Sequence, residues 1–561
     1  MNNQEEYILR DFVIEKHKFK NKKILSIRTE YIDHYPIIYI LYNQQKNPQV
    51  YSGQTVQIDN RIRGHLHNPK RKKLSDALLI GHKHFNQSAT YNIETNLINH
   101  FIGDEKFKLQ NISQTGQIQM HAYYQKAYYD EVLFKKLWEE LLEHELVDNS
   151  LDVIQNKDIY KLSPYTELSP EQLDIKERII DYARDNIYKR KKKVFVVQGE
   201  AGTGKSVVVS SLFNTIQDMR KDKTSDLRNT NNYLLVNHGE MIKTYETIAE
   251  SLPNLTKNRI IRPTSFINQM DKKEEKADVV IVDEAHLLLT QSDPFNAFTY
   301  NDHLEEIIKR SKITVIIFDP KQVLKLKSYW NYDALESIKS KYDADVYELT
   351  DQFRMLSSYE VTNWIDNFIE RKINALPMPD KKFDFQIMET PTEIKKVIFE
   401  KNARFGLSRL VSTFDYEHKK DGATYIVDSK GVDMPWNTTD SSFTWAERPE
   451  TVQEVGSIYT VQGFDLNYVG VIIGPSIDYD FETQQLIIDT SKYKDRGGFT
   501  GKGDMTVEEV QEAKEKIILN SLNVLLKRGI HGLYIYAVNN NLRKKLIELQ
   551  NERDEQDEYY E

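Results

Sequence analysis

The chain contains no cysteine. Disulfides, thiolate zinc sites and cysteine nucleophiles are thereby excluded, and a reducing cytoplasm is the expected compartment. Long apolar runs are missing as well. No stretch approaches the roughly 18 residues of a membrane-spanning helix, so no membrane partner is expected. The opening MNNQEEYILRDF has no basic start followed by an apolar stretch, and no secretion signal is expected from it. There is no internal repeat and no excess of positive charge. The 76 basic and 85 acidic residues leave a net charge of -9, so a phosphate-binding protein of this balance must concentrate its cations locally. Two runs do so, KRKK at Lys70–Lys73 and KRKKK at Lys189–Lys193. Such a run is ordinarily a solvated face; contact with nucleic acid is the alternative.

What is present is 561 residues, 39% hydrophobic and 29% charged, which suits a folded protein of several domains. Residues 1–33 read as a helical lead-in. Residues 34–130 read as a small α+β domain that begins with two short strands. Residues 131–166, with EVLFKKLWEELLEHEL, carry apolar residues at helical spacing and read as a helical linker. From 167 to 545 short apolar runs alternate with amphipathic helices, the pattern of parallel sheets in α/β domains. They divide into a first lobe, 167–345, and a second, 346–545. The end, 546–561, reads as an acidic tail, and its last eleven residues, NERDEQDEYYE, are expected to fray.

GEAGTGKS, Gly199 to Ser206, follows the strand-like VFVVQ and precedes the helix-patterned VVVSSLFNTI. A strand, a glycine loop and a helix form a phosphate cradle. Gly199, Gly202 and Gly204 let backbone N–H groups curl around phosphates, Lys205 reaches the β- and γ-phosphates, and Ser206 holds Mg²⁺. DVVIVDEAH then ends a second apolar strand in Asp283 and Glu284. Asp283 suits the metal, and Glu284 suits orienting or deprotonating the attacking water. ATP and Mg²⁺ are the expected cofactors.

These motifs resemble those of superfamily 1 helicases, and further pieces follow in order. LSPEQLDI is similar to the adenine-reading motif, with Gln172 as reader. FDPKQVL resembles the third motif, with Asp319 and Gln322 sensing the γ-phosphate. LTDQFRM places Arg354 where the family has a first arginine. YTVQGFDLNYVGVIIG resembles the fifth motif, with Gln462, Gly463 and Asp465, and LLKRGIHGLYIYA the sixth, with Arg528 as a second arginine. The pairing of the last two resembles a bacterial and archaeal helicase-like family related to the Schlafen ATPase half. The resemblance implies two RecA-like lobes with the nucleotide between them, Arg354 and Arg528 acting on its γ-phosphate. No large insertion separates the motifs of the second lobe, so translocation or remodelling is expected rather than long-range unwinding.

The 34–130 segment holds YPIIYILYN and VYSGQT, each with a tyrosine in a strand-like run, then VQIDNRIRGHL. Arg61 and His65 are four apart and share a helix face. YNIETNLINHF supplies Glu94, and FKLQN supplies Asn111. The ordered set Tyr39, Tyr51, Arg61, His65, Glu94 and Asn111 resembles GIY-YIG nucleases, with Ile37 standing where that family has a glycine. The resemblance implies a Mg²⁺-dependent endonuclease: Glu94 as the metal ligand, Arg61 stabilising developing charge, and a tyrosine, hydrogen-bonded to His65, as general base. Paired strand tyrosines can equally be packing. The expected fold is therefore α/β: a small α+β GIY-YIG-like nuclease domain followed by two RecA-like parallel-sheet lobes. The expected partner is nucleic acid, DNA before RNA, with defence against foreign DNA or phage as the setting. A protein partner or a second copy of the chain is left open. So is a different class of function, in which the N-terminal module docks nucleic acid without cutting and the ATPase is a switch.

Overall fold

The computed structural model describes residues 12–20, 29–111, 123–200, 202–294, 297–328, 332–350, 355–419, 423–427, 432–438, 445–461, 464–500 and 505–560. The chain divides into two compact units. The first comprises Met1–Ile187, Ser206–Leu234 and Ile242–Ile261; the second comprises Tyr188–Lys205, Leu235–Met241 and Arg262–Glu561.

The first unit opens on β1 (Val13–Lys18), where a helical lead-in is expected from sequence. β1 pairs antiparallel with β4 (Asp76–Gly81), Val13 opposite Gly81. The free edge of β4 decides its conformation: pairing satisfies a row of backbone groups that a short polar helix would leave to water. The hairpin β2 (Ile37–Asn43) and β3 (Gln49–Thr55) follows, with β2 also antiparallel to β4. A short β5 (Lys108–Leu109) completes the order β1-β4-β2-β3-β5. Every residue of β2 is buried, as expected of a central strand packed on both faces. Helix α1 (Ile58–His67) buries Ile58 and Ile62, and α2 (Gln87–Asp104) is capped by the Asn86 side chain on Ala89 N. Within residues 131–166, α3 (Phe134–Glu143) buries Phe134, Leu137, Trp138 and Leu141. The longer α4 (Pro170–Asn186) ends the first stretch of this unit.

In the second unit β6 (Lys193–Gly199), β9 (Ala277–Asp283), β10 (Ser311–Phe318) and β11 (Asp345–Leu349) run in the sheet order β11-β6-β10-β9; β8 (Ile260–Ile261) falls in the first unit, and β7 (Tyr233–Val236) is divided between the two. β6, β9, β10 and β11 pair in parallel. Their carboxyl ends therefore share one edge, the edge at which open α/β sheets bind ligands. Gly199, Asp283 and Asp319 all come from that edge. Helix α5 (Lys205–Lys221) leaves the loop after β6.

Beyond α6 (Tyr359–Ile369) lies a second parallel sheet, β12-β20-β17-β13-β16. Its strands are β12 (Asp384–Ile387), β13 (Ser408–Ser412), β16 (Val455–Gly456), β17 (Leu466–Ile473) and β20 (Gly529–Ala537). Two small antiparallel ribbons, β14 (Ile426–Val427) with β15 (Met434–Pro435) and β18 (Ile477–Asp480) with β19 (Gln485–Ile488), decorate it. Helices α7 (Pro391–Phe405), α8 (Val507–Leu526) and α9 (Asn540–Tyr560) accompany this sheet. The expected frayed tail is instead the end of α9. Leu542, Leu546 and Leu549 are buried, and Arg553 Nη1 donates to Phe385 O at 3.0 Å, so an apolar stripe and a buried arginine hold an acidic helix down. Among the described residues no helix is long and apolar enough to cross a membrane.

Candidate functional site

In the β2–β3 ladder Tyr39 stands opposite Gly53, and Tyr51 opposite Leu41. The two tyrosines are thus diagonal neighbours on one sheet face, their ring centroids 6.1 Å apart. Gly53 is required there: a Cβ added to it would lie 2.3 Å from Tyr39 Oη. From α1, Arg61 Nε donates to Tyr39 Oη at 2.8 Å, and Arg61 Nη2 to Tyr51 Oη at 3.4 Å. His65 Nε2 lies 2.8 Å from Tyr39 Oη. Burial, then Arg61 and Arg71, lower the His65 pKa to about 4, so the imidazole is neutral. It accepts at Nε2, and the Tyr39 hydroxyl donates to it. Burial holds Tyr39 far above the ordinary phenol value, with Arg61 opposing.

Glu94, on α2, is buried and within electrostatic reach of Tyr39. The structure thus brings Tyr39, Tyr51, Arg61 and His65 together, with Glu94 at electrostatic range of Tyr39. Asn111 is placed differently: its amide clamps the backbone of Ser52, donating to the carbonyl at 2.8 Å and accepting from the N–H at 3.1 Å. It fixes the strand between Tyr51 and Gly53. Ile37 is fully buried in the same apolar cluster as Tyr39 and Tyr51, so packing and site share these rings. Among the described residues no three His, Cys, Asp or Glu side chains gather as a metal cage. A single buried carboxylate fits Mg²⁺, which keeps most of its sphere for water and phosphate oxygens.

The KRKK run splits in two. Lys70, Lys72 and Lys73 are exposed, whereas Arg71 is buried. Its guanidinium carbon sits 3.8 Å from the Tyr51 ring centroid, and Nη1 donates to Gln110 O at 3.0 Å and Oε1 at 2.8 Å. No signal for this exists in the sequence, because a cation inside a basic run reads as solvated.

In the loop after β6, Gly202 and Gly204 take φ of 96° and 71°, values that favour glycine. Lys205 Nζ donates to Gly199 O at 2.8 Å and Glu200 O at 2.5 Å, and pairs with Asp319 Oδ2 at 3.4 Å. Asp319 is fully buried; it accepts from Gln322 Nε2 at 2.6 Å and Lys321 N at 2.9 Å. Lys205, Asp319 and Gln322 therefore converge. At the end of β9, Asp283 Oδ1 accepts from Glu284 N at 3.0 Å, and Glu284 takes a left-handed φ of 53°. Glu284 Oε2 lies 2.8 Å from His286 Nε2. Burial pushes the Glu284 carboxyl up, but His286, Lys205 and His238 pull it further down. A carboxylate held so low orients water better than it takes a proton.

His238, which sequence reasoning missed, is buried beside Glu284 and Arg528, and burial lowers its pKa to about 4. Arg528 is buried with Nη1 donating to Phe464 O at 2.9 Å. Gln172 closes the capping box of α4, its Oε1 accepting from Ser169 N at 3.0 Å. Ser206 is the second residue of α5, its carbonyl accepting from Tyr245 Oη at 3.2 Å. Asp465 is half-buried. Arg354, Gln462 and Gly463 lie outside the described residues.

The family described as Schlafen group 3, DNA/RNA helicase domain, matches residues 192–539. An uncharacterized protein of Saccharomyces cerevisiae is 40% identical over 427 residues, 70% of this chain and 93% of that one. Among solved structures, a Pif1 helicase from Candida albicans aligns at TM-score 0.29 and 12% identity, covering 68% of this chain and 96% of that one. The DUF1998 helicase MrfA bound to DNA and AMPPNP aligns at TM-score 0.26 and 9% identity, covering 69% and 51%. Both scores are too low to bear on function.

Proposed function

Because the chain belongs to the Schlafen group 3 DNA/RNA helicase domain family, we propose that it is an ATP-driven translocase or remodeller of nucleic acid, joined to a Mg²⁺-dependent endonuclease of the GIY-YIG kind. The motor reading is supported by the convergence of Lys205, Asp319 and Gln322 beside the glycine loop. Lys205 neutralises the β/γ-phosphates, Asp283 would hold the magnesium ion, Glu284 orients water, and Arg528 stabilises charge on the γ-phosphate. Boundaries at 167–345 and 346–545 for two RecA-like lobes belong to this proposal.

The nuclease reading is carried by one observation: Arg61, His65 and Tyr39 form a hydrogen-bonded chain next to Tyr51 and within the field of Glu94. Glu94 would hold the magnesium ion, which when bound neutralises charge on the scissile phosphate. Arg61 keeps Tyr39 oriented and offers positive charge to the developing phosphorane. Neutral His65 is placed to receive the Tyr39 proton as that hydroxyl takes one from water. DNA before RNA as substrate, action in the cytoplasm and defence against foreign DNA extend the same proposal. The near-complete burial of Tyr39 favours a second reading, in which the module docks nucleic acid without cutting.

Glu94→Gln separates the two. It keeps size and one oxygen but loses the charge that holds a hard dication. Cleavage of labelled single- and double-stranded DNA and RNA is expected to disappear while ATP hydrolysis stays at the wild-type rate. Retained cleavage in a folded Glu94→Gln protein refutes the nuclease; a wild type that cuts nothing favours docking.

A further inference from the structure

The second residue of the phosphate loop is held by charges from distant parts of the chain. Glu200 Oε1 accepts from Lys321 Nζ at 2.6 Å, and Glu200 Oε2 from Lys527 Nζ at 3.1 Å. Both ammonium groups also reach Asp366 Oδ1 on α6, Lys321 at 3.2 Å and Lys527 at 2.8 Å. Two carboxylates and two ammonium groups close a neutral set. Its members differ in exposure: the Lys527 side chain is 2% exposed and that of Glu200 43%. A buried ammonium is tolerated only with its partners in place, so Lys527 is committed to Glu200 and Asp366.

Lys527 follows the end of α8, and β20 begins two residues later at Gly529. Between them lies Arg528. This junction has little slack: Lys527 N bonds Asn523 O at 3.2 Å, Arg528 O accepts from Leu466 N at 3.0 Å, and Arg528 Nη1 is fixed on Phe464 O. At the other end, the Glu200 carbonyl accepts from Lys205 Nζ. One short path therefore joins Lys205, Glu200, Lys527 and Arg528.

Resting on the ATPase reading above, we propose that Lys527 is a positioning residue for nucleotide turnover: through Glu200 it sets the phosphate loop against the junction that carries Arg528. Lys527 acts through its carboxylate partners, Glu200 and Asp366. It fixes the spacing between the cation that binds the phosphates and the arginine that acts on the γ-phosphate. A misplacement of about 1 Å between such groups can cost roughly 10²-fold in rate. The loss falls on kcat, because the loop still binds phosphate through its own backbone and Lys205.

The test is steady-state ATP hydrolysis with Mg²⁺, together with titration of a fluorescent ATP analogue, on wild type, Lys527→Met, Lys527→Arg, Glu200→Gln and the Lys527→Met/Glu200→Gln double variant. Lys527→Met is expected to lose roughly 10–100-fold in kcat with analogue affinity nearly unchanged, and Lys527→Arg to recover most of it. Glu200→Gln, at a half-exposed position, should show a similar loss, and the double variant should be no worse than either single, since both break one link. Unchanged kcat in Lys527→Met and Glu200→Gln overturns the proposal, as do losses that multiply in the double variant or appear in affinity alone. Where Lys527→Met does not fold, Glu200→Gln decides by the same kcat and affinity criteria. A wild type that hydrolyses no ATP overturns the ATPase reading and this proposal with it; active wild type beside active variants overturns this proposal alone.

Discussion

Replacing Gly53 by alanine asks whether the tyrosine pair depends on the close approach that the hairpin provides. The added Cβ would lie 2.3 Å from Tyr39 Oη and 2.4 Å from Cζ. Favourable carbon contacts begin near ~3.5 Å, so either the ring or β3 must move by about 1 Å. Tyr39 is fully buried in the cluster that also holds Ile37, Leu41 and Tyr51, and overpacking such a core costs typically ~1–3 kcal/mol. Moving the hydroxyl also weakens its bonds with Arg61 and His65, each about 1 kcal/mol net. With partial relaxation the expected loss is about 2–4 kcal/mol, a fall of roughly 5–15 °C in the melting temperature of a unit this size. Cleavage should drop by about 10²-fold, because the hydroxyl is displaced by the distance that matters in a positioned site. The motor's residues are elsewhere in the chain, so ATP hydrolysis measured at a temperature below the transition should not change. The assay is a melting curve, a cleavage time course and an ATPase rate on one preparation. A Gly53→Ala protein with wild-type melting and wild-type cleavage refutes the packing on which the site is built.

Lys205→Ala should abolish ATP hydrolysis in a folded protein, since the loop carries no second point charge of that reach; full turnover would refute the motor. Ile37→Gly, which installs the glycine of the GIY-YIG pattern, should destabilise the first unit by about 3–5 kcal/mol, through a cavity in a fully buried cluster plus strand entropy, and should not raise cleavage; a stability equal to wild type in a denaturant titration would contradict this. His65 is neutral in the folded chain, its pKa lowered to about 4 by burial and the two arginines. Its contribution is fully present above the ordinary histidine value of about 6.5 and is lost as pH falls from there towards 4, because the unfolded chain takes the proton first. Melting temperature against pH should therefore fall less steeply across that window in His65→Gln than in wild type, and parallel slopes would refute the assignment.

The parallel sheets were legible because strands buried on both faces are written as apolar runs, KVFVVQG, DVVIVD and ITVIIF among them. β1 was not legible. VIEKHK has no sustained alternation, and it becomes a strand only because β4, some sixty residues on, offers an edge. The last helix was hidden by composition: its acidic residues suggest fraying, while Leu542, Leu546 and Leu549 at spacings of four and three carry the burial.

At the sites, what could be read was whatever is close in sequence or tied to one helical period: the glycine loop with Lys205, Asp283 with Glu284, Arg61 with His65. Arg71, Lys527 and Asp366 belong to no such pattern. Each earns its place through a partner that only the fold supplies, a tyrosine face for Arg71 and a shared carboxylate set for Lys527. The chain's net charge of -9 says little about the potential at either site for the same reason. A cation in a solvated run is screened within about 10 Å at ordinary salt, whereas Arg71 and Lys527 are buried, where screening is weak and position is fixed. Local concentration of positive charge, which the composition demanded of a phosphate-binding protein, is met by a few inward-facing side chains as well as by the basic runs. KRKK itself contributes Arg71 inward and three lysines to solvent, so one run serves both purposes, and only the inward member bears on the geometry of Tyr51.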